Sequence, residues 1–209
     1  MQTWIYLSHK LSPKHFAYGN GESIKIKYTN KISSGDSSNN TKLNLPTHFG
    51  THLDFPYHFE NNGKKGEEFS PDYFISNKVQ FLDLGIKPIT NYLITENDFA
   101  EFEFNPNTEI LIIKTGMGDY LKQDAYWNAN PGFAPELACF FKEKMPNLRI
   151  LGFDAISLTG RKYRDMGKKA HREFLIENNI LVLEDMDLSL MYSDFSIYDI
   201  IISPLLFEN

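Results

Sequence analysis

Three of the six histidines, His48, His52 and His58, fall within eleven residues and share that window with Asp54. An even scatter would place roughly 0.3 histidine there. The segment reads His48-Phe-Gly-Thr-His52-Leu-Asp54-Phe-Pro-Tyr-His58-Phe59. Neutral imidazoles and a carboxylate are ligands for zinc, manganese or iron, and such a set leaves at least one coordination position for water. A helical zinc motif does not fit. Pro46, Gly50 and Pro56 oppose a helix, and no Glu follows His48, as a helical metalloprotease would require. An extended chain fits better. From residue 52 onward Leu53, Phe55, Tyr57 and Phe59 would face a core, while His52, Asp54, Pro56 and His58 face a shared cavity. Gly50 permits a turn that folds His48 back onto His52.

A second pair lies downstream. Glu184 follows the apolar run Ile180 to Leu183, so its carboxylate ends a buried strand and needs a partner or a metal. His171 belongs to a predicted helix that the short Asn178-Asn179 turn returns into that strand, which brings both residues to one end of a sheet. Read alone, His171 is a satisfied surface histidine on a charged helix. Asp154 and Ser157 are candidate supports for the site. His9 and His15 sit in a polar N-terminal stretch and are expected to be solvated. The run Arg161, Lys162, Arg164, Lys168 and Lys169 reads as a solvated face in preference to a cationic rim for an anionic substrate. Gly116-Met-Gly118 lacks the third glycine and the helix of a dinucleotide site.

The elements that must position these residues change character along the chain. Ser23 to Tyr28 alternates as a strand does, and Val79 to Leu84 and Glu109 to Lys114 also read as strands, in a first half that looks antiparallel. In the second half the pattern predicts a helix from Pro135 to Met145 and a strand from Arg149 to Phe153. A helix from Gly167 to Glu177, a strand from Ile180 to Leu183 and a last strand from Tyr198 to Ser203 follow. That alternation calls for a parallel sheet covered by helices. The expectation is an α/β fold, a compact mixed β-sheet in a single domain over residues 1–209. Asn30 to Asn40 and Glu60 to Glu68 read as polar loops, the first a candidate lid.

Composition removes several function classes. A formal charge of −6 argues against nucleic acid, and the longest apolar runs are far short of a membrane span. Cys139 is the single cysteine, so no internal disulfide framework exists and a reducing, cytoplasmic setting is expected. Met1 to Leu11 lacks the charged start and apolar stretch of a secretory signal.

The segment from His48 to Phe59 resembles the His-x-Gly-Thr-His-x-Asp-x-Pro-x-His-Phe signature of the cyclase-like metal-dependent hydrolases, the kynurenine formamidase and isatin hydrolase type. The resemblance runs on in order through Tyr6-Leu7-Ser8, Lys114-Thr115-Gly116, Gly152 to Ser157, and the pair His171 and Glu184. Tyr6 stands where that family has Asp. The resemblance implies a β/β/α swivelling-type layering and a dimer or larger assembly. It also implies one or two divalent ions, zinc or manganese: His48, His52 and Asp54 on the first, Asp54 bridging to a second completed by His171 and Glu184. His58 would be the general acid/base. The expected reaction is hydrolysis of a C–N bond in a small amide, N-formyl or cyclic amide substrate, with Phe55 and Phe59 as candidates to stack on it. Lactone opening, dehydration or cyclisation would use the same site, and a metal-binding protein without turnover is the alternative from another class.

Overall fold

The computed structural model describes residues 4–85, 92–192 and 199–207. In chain order the strands are β1 (Lys25–Asn30), β2 (Asn40–Asn44), β3 (His52–Asp54), β4 (Ile75–Ser76), β5 (Val79–Asp83) and β6 (Leu93–Ile94). They continue with β7 (Ile110–Lys114), β8 (Gly132–Phe133), β9 (Ile150–Phe153), β10 (Leu181–Glu184) and β11 (Ile200–Ile201). The α-helices are α1 (Asp124–Asn128), α2 (Leu137–Lys144) and α3 (Arg164–Arg172). A π-helical stretch, Glu173–Glu177, follows α3 directly.

Five strands form the central sheet in the order β3-β10-β9-β7-β5. Four run parallel, and β3 pairs antiparallel with β10 at one edge. Ile110 to Ile113, Ile150 to Phe153 and Leu181 to Glu184 are all buried, the near-continuous apolar composition that a parallel strand covered on both faces requires. They join Phe99, Phe133, Phe141 and Phe174 in one core. The α/β class and the mixed sheet are therefore as the sequence predicts. One expectation is corrected: β5 belongs to the parallel part of the sheet, not to an antiparallel first half. Its partner β7 lies far along the chain, so nothing in the local alternation could reveal the direction of pairing.

The β1–β2 hairpin is antiparallel, and Asn30 to Asn40 forms its tip with one 3₁₀ turn, Ile32–Ser34. The last predicted strand narrows to β11, which pairs with β4; the predicted start at Tyr198 lies outside the described residues. Among those residues no helix is long and apolar enough to cross a membrane.

Two features of this frame position the candidate site. Glu184 closes β10 at its carboxyl end, the side of a parallel sheet where ligands are bound, and His52 stands directly opposite it on β3. The π stretch begins two residues after His171; such insertions re-aim helical side chains and recur at functional sites.

Candidate metal centre

The chain enters the site through a left-handed glycine, Gly50 at φ 69°, where a Cβ would come within 2.6 Å of Leu11 Cδ2. The three-residue strand β3 then presents His52 and Asp54. The extended reading holds only this far. Pro56–His58 is a 3₁₀ turn, because Pro56 fixes its own φ and starts such a turn readily. The two-residue alternation therefore lapses, and Tyr57, expected in the core, is exposed. The turn nonetheless brings His58 back over His48, with ring centroids 4.0 Å apart.

Asp54, 1% exposed, is the hub. Its Oδ1 lies 3.0 Å from His48 Nδ1 and 3.6 Å from His52 Nε2, and its Oδ2 lies 3.6 Å from His171 Nε2. Glu184 faces the same point from β10, with Oε2 3.5 Å from His52 Nε2 and Oε1 3.4 Å from His171 Nε2. The outer nitrogens are fixed from behind. His52 Nδ1–H donates to the Gly50 carbonyl at 2.7 Å, and His171 Nδ1–H to the Gly167 carbonyl at 2.8 Å. Each ring thus turns Nε2 toward the carboxylates, the arrangement by which metal-ligating imidazoles are oriented. Glu184 Oε1 accepts from the Leu158 N–H at 2.7 Å and from Ser157 Oγ at 3.3 Å. Phe59 stacks on the His171 ring, centroids 4.6 Å apart.

Charge and burial together describe a site suited to a cation. Burial would push the Asp54 carboxyl up, but the His171, His48 and His52 imidazoles hold it well below the usual carboxylate range. Burial lowers His171, yet Asp54 and Glu184 more than offset this and raise it to about 10. His48 is raised against its burial by Asp54 and Glu184. His58 is lowered, first by burial and then by His48 and His171. Both carboxylate oxygens of Asp54 and the Nε2 of His52 are buried with no hydrogen-bond partner. Unsatisfied buried polar atoms are costly and call for an explanation, and a cation among converging N and O donors supplies one. The residues fit a divalent ion. Donor atoms of His52, Asp54 and Glu184 lie within 4.8 Å of one another, as do those of His48, Asp54 and His58.

All six residues singled out in the sequence therefore meet at one place, although the close groupings divide them otherwise than expected, with His58 beside His48. A cavity of about 1960 Å³ opens above them. His48, His52, Asp54 and His58 line it, while His171 and Glu184 lie behind; apolar side chains such as Trp4, Tyr6, Leu43, Leu45 and Phe207 form much of the wall. Phe55 is in the lining, whereas Phe59 is against His171. No residue of the Asn30 to Asn40 tip lines the cavity, so the lid expectation is not supported. The basic run from Arg161 to Lys169 does not line it either, and Arg161, Lys162, Arg164, Lys168 and Lys169 are exposed. Ser157 supports the site. Asp154 instead accepts hydrogen bonds from Thr115, Gly116 and Gly118 and holds that turn. His9, expected in solvent, has a side chain only 6% exposed beside Asp185; burial by the chain's far end leaves no local sign. The backbone groups that orient the ring nitrogens, Gly50 and Gly167 carbonyls, were also missed, since a carbonyl carries no side-chain signal.

The chain matches the cyclase family, described as "Putative cyclase", over residues 5–159. It is 24% identical over 183 residues to a kynurenine formamidase of Bacillus mycoides (strain KBAB4), covering 88% of this chain and 81% of that one. Among solved structures it is similar to isatin hydrolase A from Labrenzia aggregata bound to benzyl benzoate. That likeness has a TM-score of 0.72 and 19% identity, covering 90% of this chain and 82% of the other. It is also similar to a structure described as a potential metal-dependent hydrolase with cyclase activity, with a TM-score of 0.68 and 19% identity, covering 90% and 83%.

Proposed function

The chain belongs to the cyclase family, and from that membership we propose that it is a metal-dependent hydrolase that cleaves the C–N bond of an amide, N-formyl or cyclic amide substrate. The observation that carries this reading is the buried Asp54 carboxylate, its oxygens without a hydrogen bond, ringed by His48, His52 and His171, with Glu184 facing them. His48, His52, Asp54, His171 and Glu184 would hold zinc or manganese, one ion or two. A bound divalent ion supplies Lewis acidity and lowers the pKa of a water from 15.7 toward roughly 7. His58, lining the cavity and held below its ordinary value, is neutral at pH 7. It takes the proton of the attacking water and returns it to the leaving nitrogen. The apolar walls exclude water from the substrate's flank, and Phe55 offers a face for a flat ring.

We read residues 1–209 as one domain, supported by one contiguous core. We read the assembly as a homodimer or larger, in the cytoplasm. The exposed Trp4, Tyr6, Leu43 and Phe207 around the cavity support association, and the lone Cys139 suits a reducing compartment.

A panel of a formanilide, a cyclic imide and a lactone, each with and without chelator, tests the reaction. Turnover of the first two that disappears on chelation and returns with zinc or manganese is expected. Turnover of the lactone alone moves the activity to ester-type ring opening. Metal bound stoichiometrically with none of the three turned over makes the protein a binder.

The protonation state gives a second expectation. Without metal, His171 holds its proton at pH 8, since its pKa is about 10, and it must release that proton before Nε2 can ligate. Metal loading at pH 8 should therefore release about one proton or more per chain, and affinity should rise with pH toward 10. Calorimetric titration in buffers of different ionisation heat measures this. An enthalpy independent of buffer would exclude His171 as a ligand.

A further inference from the structure

The two strands that carry His52 and Glu184 part company at Thr51 and Asp185. In the β3–β10 ladder Asp54 stands opposite Val182, Leu53 opposite Leu183 and His52 opposite Glu184. The next residue on each chain lies outside both strands. There Asp185 turns left-handed, φ 56°, and its N–H donates to the Ala155 carbonyl at 2.9 Å. A side chain supplies the next cross-link instead. The Thr51 hydroxyl donates to the Asp185 carbonyl at 2.5 Å and accepts the His9 N–H at 2.9 Å.

A left-handed conformation is uncommon for a residue other than glycine and persists where its surroundings hold it. Asp185 is held on several sides. The fully buried Tyr126 donates its hydroxyl to the Asp185 carboxylate, and His9 Nε2 lies 3.7 Å from the same oxygen. Beyond it Met186 bridges to Ser8, and the Asp187 N–H donates to the Leu7 carbonyl at 2.9 Å. The N-terminal segment, the residue before one candidate ligand and the residue after another are thereby joined through one hydroxyl.

We propose that Thr51 is a positioning residue, whose hydroxyl pins the Asp185 turn to the start of β3 and so fixes the 3.5 Å approach of His52 Nε2 to Glu184 Oε2. This rests on reading His52 and Glu184 as metal ligands. Groups that orient ligands without touching the ion tune affinity by about 10- to 100-fold. Valine has nearly the shape of threonine but can neither donate to the Asp185 carbonyl nor accept from His9, whereas serine can do both.

The test compares the full chain with Thr51→Val and Thr51→Ser, reading zinc affinity by chelator competition and the thermal midpoint of the metal-stripped proteins. Thr51→Val should weaken zinc binding about 10- to 100-fold, and Thr51→Ser should stay within about threefold of the parent. A role in folding alone would lower the stripped midpoint of Thr51→Val and leave its affinity unchanged, which overturns the proposal. If Thr51→Val does not fold, Tyr126→Phe loosens the same turn from its carboxylate side and should weaken zinc about three- to tenfold; an unchanged affinity there overturns it equally. A parent protein that binds neither zinc nor manganese sinks the metal reading itself, and the positioning role falls with it.

Discussion

Asp54→Asn should leave the protein folded, free of tightly bound metal and slowed by at least about a thousandfold. Asp54 is the one residue that belongs to both close donor groups, His52–Asp54–Glu184 and His48–Asp54–His58. Among the described residues no second carboxylate takes its place, since Glu184 approaches His52 and His171 but His48 has its 3.0 Å neighbour in Asp54. The amide keeps the volume of the side chain yet removes the charge and turns half of its polar surface into a donor. An NH₂ group aimed at a cation repels it. The substitution also removes one of the two anions that keep His171 and His48 raised, so both rings shift toward neutrality while Glu184 still faces His171, which protects the fold from an unpaired buried charge. Metal content by elemental analysis after dialysis, read beside the turnover rate, checks this. His52→Ala should behave alike. An Asp54→Asn protein that keeps one ion per chain at the parent's affinity would remove the hub from the site.

How much of this was legible beforehand depended on whether the signal was local. The stretch of candidate ligands was readable because a cluster of imidazoles beside a carboxylate has no packing purpose, and β3 follows it for three residues. The buried parallel strands were readable from their apolar runs. Glu184 was readable as a carboxylate closing such a run, and the structure places it opposite His52. What stayed hidden were relations set by distant segments. The parallel pairing of β5 with β7, the burial of His9 against Asp185 and the Thr51 link to the Asp185 carbonyl join residues 31 to 176 positions apart. A 3₁₀ turn displaced the expected alternation at Pro56 because the residue that starts a turn is also tolerated in an edge strand. Tyr57 therefore faces out, while His58 still reaches the site by rotation of the turn.

His58→Ala separates holding the ion from moving the proton. If His58 is the acid/base, the variant keeps its metal and loses about 10²- to 10⁴-fold in kcat. Its ring lines the cavity and lies 4.0 Å from that of His48 between centroids, close enough to the same donor group that ligation is the competing role. Metal content decides between them, because a lost ligand releases the ion and a lost base does not. The pH profile adds a second, independent sign. A base must be unprotonated, and burial together with His48 and His171 holds His58 below its ordinary value, so the parent's rate should fall only as the pH drops below about 6.5. With His58 replaced by alanine that acidic limb disappears, and the residual rate follows whatever still titrates at the ligands. Exogenous imidazole offers a third reading, since the cavity is wide enough to admit it where the ring was. Partial recovery of rate with imidazole, at unchanged metal content, is expected. A variant with the parent's full activity would end the assignment, and one that loses its metal would transfer His58 to the ligand set.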